Sequence, residues 1–296
     1  MRATSSYTTC QAVVCLRGMQ EFMGKQKRRD IPRFDTAIIE THCHLDYLGD
    51  DQFAAAIERA VASGIEKLIT IAVSPENLSR VLALTEASHL VWGTQGVHPH
   101  EASSFSRQVA QTIAANLSHA RIVAVGEIGL DYYYDHADRS SQRAAFEAQL
   151  AIAAEHDYPV VIHSREADDD TQAILADFLP DLRRRGVIHS FTSGQALAEF
   201  CLDAGFMLGF NGIITFNSAQ NVRDIVAITP ATQLLLETDS PYLTPVPYRG
   251  RPNEPCYLPF VAEKIAEIKA LPADDFLQQV YDNSQRLFFP DTTAEC

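Results

Sequence analysis

Two histidines separated by a single residue, His42 and His44, follow the first apolar stretch of the chain. If this stretch is a β-strand, side chains two positions apart point to the same side, so the two imidazoles would lie together. Neutral imidazole is a common ligand of divalent metals, and the pair could therefore hold a metal ion. The pair alone leaves a second interpretation open, in which two unrelated polar histidines end a strand.

Further metal-binding side chains follow four other apolar stretches, each at the point where a strand is predicted to end. They are Glu127, His163, His189 and Asp239. The carboxyl ends of parallel strands in a barrel converge on one face, so all six groups are expected to meet there. Any one of them could be an ordinary polar residue at a strand terminus, but six on one rim favour a site.

Four imidazoles and two carboxylates exceed what one tetrahedral zinc ion with an open position would bind. They suit two divalent ions that share a bridging carboxylate, an arrangement that recurs in enzymes that cleave phosphodiester bonds. A modified lysine is an alternative bridge, but none of the five lysines lies at the carboxyl end of a predicted strand. Glu127 is therefore the predicted bridge. Two divalent ions against two carboxylates would leave a local positive charge for an anionic substrate.

Four more residues near the predicted rim could contact a substrate. They are His98, His100, Arg165 and Arg249. The histidines could donate hydrogen bonds to a phosphate or transfer protons, and the arginines could bind phosphate through two N–H groups. Surface-loop histidines and structural salt bridges are the alternatives, and the residues alone do not decide between them.

The elements that must position these groups alternate from Thr36 onward, as short β-type stretches and longer stretches of helical spacing. Eight strands are predicted, at residues 36–40, 67–73, 91–97, 122–127, 159–163, 186–189, 206–210 and 233–237. This alternation is typical of repeated βα units, and eight units close a parallel barrel. The predicted fold is therefore an α/β, single-domain (β/α)8 TIM-like barrel. An open doubly wound sheet is the alternative, but no G-x-G-x-x-G motif follows the first strand.

Composition and charge exclude several classes of protein. The chain has 24 basic and 38 acidic residues, a net charge of −14, which argues against coating nucleic acid through overall charge. Its six cysteines show no C-x-x-C spacing, so neither a zinc ribbon nor a disulfide framework is predicted. No stretch approaches the roughly 18 apolar residues of a membrane span, and the start lacks a secretory apolar segment. We therefore expect a cytoplasmic protein without a membrane partner.

The predicted domain organisation is simple. Residues 1–35 are polar and lack periodicity, which indicates a flexible N-terminal extension, although its basic residues could instead tether nucleic acid. The barrel is predicted over residues 36–290, followed by a short tail at 291–296. No obligate protein partner is predicted.

Five blocks of residues occur in a fixed order along residues 36–289. They are Thr41-His42-Cys43-His44-Leu45-Asp46, Gly96-Val97-His98-Pro99-His100, Gly126-Glu127-Ile128-Gly129-Leu130-Asp131-Tyr132, Pro159-Val160-Val161-Ile162-His163-Ser164-Arg165 and Glu237-Thr238-Asp239-Ser240-Pro241-Tyr242-Leu243. In sequence and spacing these blocks resemble the TatD-related metal-dependent deoxyribonucleases, a family of amidohydrolase-like barrels.

The resemblance implies a division of the ligands. His42, His44 and Asp239 would bind one ion, His163 and His189 the other, and Glu127 would bridge the two. It also implies metal-dependent hydrolysis of DNA, as a 3′–5′ exonuclease on single strands, with RNA as a further substrate. Two divalent ions per subunit are expected, Mg²⁺ first, with Mn²⁺ or Zn²⁺ as alternatives. Asp239 would accept the proton of the attacking water, while His98 would steady the phosphate or the leaving oxygen.

Two residues depart from the family pattern. Glu40 stands where the family usually has Asp, and Ser190 follows His189 where Cys is common. The extra methylene of Glu40 could shift the neighbouring histidines and lower metal affinity. Two other functions remain open: ester or amide hydrolysis, such as removal of a D-amino acid from tRNA, and a binding module without catalysis.

Overall fold

The computed structural model describes residues 28–290 of the chain. Within them, eight parallel strands form one sheet in which each strand pairs with the next, in the order β1 to β8. The strands are β1 (Ile38–Cys43), β2 (Ile65–Thr70), β3 (Val91–Gln95), β4 (Ile122–Asp131), β5 (Val160–Arg165), β6 (Gly186–Ile188), β7 (Met207–Phe210) and β8 (Leu234–Leu236). A parallel bridge between Cys43 and Ser240 brings the last strand's extension against the first.

Helices alternate with the strands along the described part of the chain. They are α1 (Asp50–Ala62), α2 (Leu78–Ala87), α3 (Arg107–Asn116), α4 (Arg139–His156), α5 (Asp168–Phe178), α6 (Gln195–Asp203), α7 (Gln220–Ile228), α8 (Leu258–Lys269) and α9 (Ala273–Phe288). The last two helices both follow β8. The predicted (β/α)8 TIM-like barrel is confirmed, and the open doubly wound sheet is not what the chain forms.

Strands buried on both faces need apolar residues at successive positions, and two separate apolar clusters meet this need. One cluster joins the outer faces of the strands to the helices and includes Leu68, Ile162 and Phe146. The other fills the barrel interior with Ile39, Val161, Leu235 and residues at corresponding positions of other strands, and Phe288 and Phe289 belong to it. Because Phe289 packs edge to face on Trp92 of β3, 4.9 Å between centroids, these C-terminal aromatic rings close one end of the interior. Polar groups collect at the other end.

The strands that carry the predicted ligands have irregular register. Pairing of β1 with β2 shifts between Glu40 and Cys43, and pairing of β4 with β5 shifts between Gly126 and Ile128. Such bulges redirect side chains and occur often beside active sites. Two predicted strand ends are corrected, because pairing with the neighbouring strand continues beyond each bulge: β1 extends past residue 40 to Cys43, and β4 continues past Glu127 to Asp131.

Among the described residues, Cys43, Cys201 and Cys256 are buried free thiols. No described helix combines the length and apolar character needed to cross a lipid bilayer. The predicted N-terminal extension at residues 1–35 lies mostly outside the described residues, and the tail at 291–296 lies wholly outside them. Both stay predictions.

Candidate metal centre

A pocket of about 700 Å³ opens at the carboxyl ends of the strands. Its lining includes five of the six predicted ligands, His44, Glu127, His163, His189 and Asp239, and His42 lies buried next to them. Carboxyl strand ends are where active sites of parallel barrels are built. The six residues therefore meet at the predicted rim, although their sequence separation approaches 200 positions.

Glu127 occupies the centre of this group. Its Oε1 atom lies 3.0 Å from Nδ1 of His163 and 3.0 Å from Nε2 of His189, while its Oε2 atom lies 3.4 Å from Nε2 of His42. Burial alone would raise the pKa of Glu127, but the charge of His189 and the hydrogen bonds from His163 and His189 hold it well below its usual range. The carboxylate is therefore ionised, with its two oxygens facing different imidazoles.

The first predicted ligand group is compact. Oδ1 of Asp239 lies 3.4 Å from Nε2 of His44 and 3.8 Å from Nε2 of His42. His44 is not on the strand: β1 ends at Cys43, and His44 precedes a short 3-10 turn, Leu45–Tyr47. The two imidazoles lie together, 5.2 Å between ring centroids, with His44 at the start of the turn that follows the strand.

The second predicted ligand pair, His163 and His189, meets at Oε1 of Glu127, and two further sets of groups that could hold a metal ion lie around it. Ligand atoms of His98, Glu127 and His163 lie within 4.8 Å of one another, whereas His189 groups in this way with His42 and Glu237. His189 still touches Glu127, as given above. His98, predicted only as a catalytic and substrate-binding residue, approaches Oε1 of Glu127 to 3.5 Å.

Sequence reasoning missed Asp131, at the end of β4. Its Oδ2 atom lies 3.1 Å from Nε2 of His163 and 2.9 Å from Nε2 of His100, and its Oδ1 atom accepts the backbone N–H groups of Tyr133 and Tyr134. One carboxylate therefore fixes two imidazoles and the following turn. The sequence did show an aspartate four residues after Glu127, but this position lay beyond the predicted end of the strand and was not considered as part of the site.

Glu237 was also missed, although it stands two residues before Asp239. Its Oε1 atom accepts the backbone N–H of Ser190 at 2.6 Å and lies 3.5 Å from Nδ1 of His189. Burial would lower the pKa of His189, but the charges of Glu127 and Glu237 raise it well above its usual value. Ser190, one of the departures from the family pattern, accepts a hydrogen bond from Asn211 at 2.8 Å.

Glu40, the other departure, joins the first strand to the segment after β8. Its Oε1 atom accepts the backbone N–H groups of His42 at 3.0 Å and Thr238 at 2.9 Å. Its side chain is completely buried, and burial raises the pKa of Glu40 to about 8. The residue thus braces the backbone on both sides of the first ligand group.

Buried polar atoms without partners test whether this site fits divalent ions. Within residues 28–290, both ring nitrogens of His42, Nδ1 of His44 and Nδ1 of His189 are buried and make no hydrogen bond. Buried polar atoms are nearly always satisfied, so several unsatisfied nitrogens beside carboxylates indicate absent partners. Imidazole nitrogens and carboxylate oxygens are a donor set that suits Zn²⁺, Mn²⁺ and related divalent ions.

The predicted substrate-binding residues divide into two sets. His98, His100 and Arg165 line the pocket, and the Arg165 guanidinium lies over the Tyr133 ring at 4.2 Å from its centroid. Arg249 is exposed and lies outside the pocket lining, with its guanidinium 3.8 Å from the centroid of Phe216. Only the first set is brought to the candidate centre.

The sequence of this chain is similar to those of known proteins. Residues 39–289 match the sequence model of a family described as TatD related DNase. A relative in Bacillus subtilis, named uncharacterized metal-dependent hydrolase YabD, is 33% identical over 252 residues, which cover 85% of this chain and 98% of that protein. A protein of Erwinia amylovora named 3′-5′ ssDNA/RNA exonuclease TatD is 37% identical over 238 residues, 78% of this chain and 92% of that protein.

A solved structure agrees with these sequence matches. The crystal structure of YjjV, a TatD homologue from Escherichia coli, superposes with a TM-score of 0.81 at 34% identity, covering 85% of this chain and 97% of the other. A hydrolase of the TatD family from Entamoeba histolytica gives a TM-score of 0.76 at 19% identity and shares the fold.

Proposed function

The chain belongs to the family of TatD-related DNases, metal-dependent hydrolases, and we propose that it cleaves phosphodiester bonds of nucleic acid at a site for two divalent ions. The observation that carries the proposal is the position of Glu127. One of its carboxylate oxygens faces His42, and the other faces His163 and His189. A carboxylate with imidazoles on both oxygens is arranged to bridge two ions rather than to bind one.

His42, His44 and Asp239 would hold one ion, and His163 and His189 would hold the other with Glu127 between them. His98 also lies within ligand distance of the second group. Bound there, divalent ions such as Mg²⁺, Mn²⁺ or Zn²⁺ would neutralise phosphate charge and make water a stronger nucleophile. Proton transfer and contacts to the phosphate would be made by the side chains of the protein.

Asp239 is suited to accept a proton from the attacking water. Burial would raise the pKa of Asp239, but the hydrogen bond from His44 and the charges of His189 and His42 outweigh it and keep the pKa below its usual value. The carboxylate is therefore unprotonated, and part of its side chain, 14%, is exposed to the pocket. His98 and His100 would donate hydrogen bonds to the phosphate or the leaving oxygen.

Arg165 would bind a neighbouring phosphate from the rim, since its guanidinium is exposed and lines the pocket. Arg249 is a more distant candidate for the same role. The preferred substrate is single-stranded DNA degraded from its 3′ end, with RNA as a second substrate. Support for this polarity comes from relatives that bear the name 3′-5′ ssDNA/RNA exonuclease.

The test uses single-stranded DNA labelled at the 5′ end or at the 3′ end. Purified protein is incubated with each substrate in Mg²⁺, in Mn²⁺ and in chelator, beside a Glu127→Gln variant of the same shape. We expect immediate release of the 3′ label as mononucleotide and a slow ladder from the 5′ label. Both should disappear in chelator, and Glu127→Gln should reduce the rate at least 100-fold, because the bridging negative charge is lost.

Release of the 5′ label first would reverse the proposed polarity. Intact DNA and RNA under every ion would contradict the nuclease proposal itself. In that case, release of amino acid from D-aminoacyl-tRNA with the RNA chain whole would support the alternative of ester hydrolysis on the same centre.

A further inference from the structure

Three exposed tyrosines line the central pocket: Tyr134, 50% exposed, on one side, and Tyr47 and Tyr242 as a pair on the other. Tyr47 and Tyr242 are 48% and 55% exposed, and both line the pocket beside His44 and Asp239. Large aromatic side chains are usually buried, so a pair left open at the entrance to a candidate active site suggests a role in binding. Neither hydroxyl makes a hydrogen bond to another described residue.

The two rings form a fixed corner rather than a loose pair. Their centroids lie 6.2 Å apart with planes at 79°, and the Tyr47 ring stacks on His44 at 5.1 Å. The backbone of Tyr242 is held on both sides: its N–H donates to Asp239 at 2.9 Å, and its carbonyl accepts from Asn253 at 2.6 Å. Such a corner offers one ring face and one ring edge to a flat group that enters the pocket.

Charge separates this side of the mouth from the opposite side. In a barrel ordered β1 to β8, the strands β4 and β5 lie across from β1 and β8. A second cleft of about 660 Å³ on that far side is lined by four carboxylates, Glu166, Asp168, Asp169 and Asp170, and by two arginines, Arg139 and Arg165. With four carboxylates against two arginines, the cleft carries a net negative charge that would repel a phosphodiester chain. By contrast, the loop from residue 243 to 253, which Asn253 ties to Tyr242, contains two arginines and no carboxylate, so that Asp46 beside Tyr47 is outnumbered by two positive charges in that loop.

We propose that Tyr47 and Tyr242 form a stacking corner for a nucleobase of the substrate, and that the nucleic acid strand leaves the pocket over this side. The inference rests on the proposed nuclease function and names the residues that would recognise a base rather than a phosphate. Every base has a flat π-face, so stacking on tyrosine gives affinity without sequence preference. The carboxylates of the far cleft would then keep the strand from running past Arg165, which would bind only a phosphate at the central pocket itself.

The experiment compares Tyr242→Leu, Tyr47→Leu and the corresponding phenylalanine variants with the unaltered full-length protein. Two single-stranded substrates of equal length are used: ordinary DNA, and DNA whose three 3′-terminal nucleotides lack bases but retain the sugar-phosphate chain. Tyr281→Leu is the matched control, because Tyr281 lies at the other end of the barrel, where it hydrogen-bonds Glu66. Bound metal and thermal midpoint are measured for each variant, since the Tyr47 ring contacts His44.

For ordinary DNA, we expect each leucine variant to raise KM about tenfold with kcat within twofold, as loss of one stacked base predicts. The phenylalanine variants should retain normal KM, because they keep the ring. On the base-free substrate, the difference between leucine variants and unaltered protein should fall below twofold. Tyr281→Leu should behave like the unaltered protein on both substrates.

Unchanged KM in both leucine variants on ordinary DNA would overturn the inference. A tenfold rise in KM on both substrates would overturn it as well, because the effect would not depend on a base. A loss of bound metal in the same variant would show that the rise in KM comes from the metal centre. If the unaltered protein cleaves ordinary DNA, these failures leave the nuclease proposal standing. If it cleaves no nucleic acid, the nuclease proposal fails, and this inference fails with it.

Discussion

At the scale of single residues, Asp131 links most of the polar groups on one side of the pocket. One of its oxygens contacts His100 and His163, and the other caps the turn that carries Tyr133 and Tyr134. Removal of a carboxylate that holds a metal-binding imidazole typically lowers metal affinity or activity 10- to 100-fold. We infer that Asp131 positions His163 without touching the substrate.

The substitution Asp131→Asn separates the two roles, because asparagine keeps the oxygen that caps the turn and replaces only Oδ2 with an amide nitrogen. We expect the concentration of Mg²⁺ or Mn²⁺ needed for half-maximal activity to rise about tenfold. The free energy of unfolding without metal should change by less than about 1 kcal/mol, since the turn remains capped. Activity against metal concentration and urea unfolding in chelator provide the two measurements.

Asp138→Asn is the matched control, because Asp138 is an exposed cap at the start of α4 and asparagine caps a helix equally well. An unchanged metal requirement in Asp131→Asn would show that His163 is held without Asp131. If Asp131→Asn were unfolded in chelator, Asp131 would instead be required for the stability of the fold.

The same residue shows what sequence reasoning could and could not find. His42, Glu127 and Asp239 were found because polar groups after apolar stretches are visible in the sequence, and a barrel brings those positions together. Asp131 and Glu237 were missed because their importance lies in the hydrogen bonds they accept, which spacing does not report. Whether the six predicted ligands bind metal stays a prediction.

At the scale of elements, β4 does more than its predicted length suggested. It continues four residues beyond Glu127 and pairs Gly129 directly with His163 of β5. Gly129 has φ +135°, a conformation that side chains rarely adopt, and an added Cβ would lie 2.0 Å from the carbonyl oxygen of His163. The close approach of these two strands therefore fixes where His163 stands.

Gly129→Ala tests this dependence. We expect the free energy of unfolding to fall by about 3 kcal/mol or more, because the new methyl group meets backbone that cannot rotate away. Urea unfolding measures the loss. Gly64→Ala is the control, since Gly64 also has positive φ, +87°, but nothing lies within 4 Å of an added Cβ. Its cost should stay near 1 to 2 kcal/mol. Equal losses in the two variants would contradict the argument from strand approach.

The number and order of the strands were predictable, whereas their ends at the site were not. The apolar stretch at 233–237 predicted a buried strand, which the structure has at Leu234–Leu236, and the predicted barrel is confirmed. The register shifts near Glu40 and Gly126 leave no comparable pattern in the sequence. The sequence therefore predicted that His42 and Glu127 meet, but not the bulges beside them or the ends of the strands that carry them.

At the scale of the whole molecule, apolar packing and charge are arranged at opposite ends of the barrel. Phe288 and Phe289 close one end of the interior, while imidazoles and carboxylates occupy the other. The chain as a whole carries a net charge of −14. A polyanion would therefore be attracted by divalent ions, where these occupy the candidate centre, and by a few arginines, and repelled by most of the remaining surface.

This distribution predicts an unusually weak dependence of DNA cleavage on salt. Each neutralised phosphate of a single strand contributes a slope of about −0.7 to the logarithm of affinity against the logarithm of salt concentration. With two or three phosphates contacted, we expect log(kcat/KM) to fall with a slope of about −1.4 to −2.1 in KCl at fixed free Mg²⁺.

Arg165→Gln should make the slope shallower by about 0.7, because one phosphate contact is lost. Arg183→Gln, at an exposed arginine paired with Asp157 and outside the pocket lining, should leave it unchanged. A slope of about −4 or steeper would mean that a broad basic surface contacts the strand, contrary to the charge of this molecule.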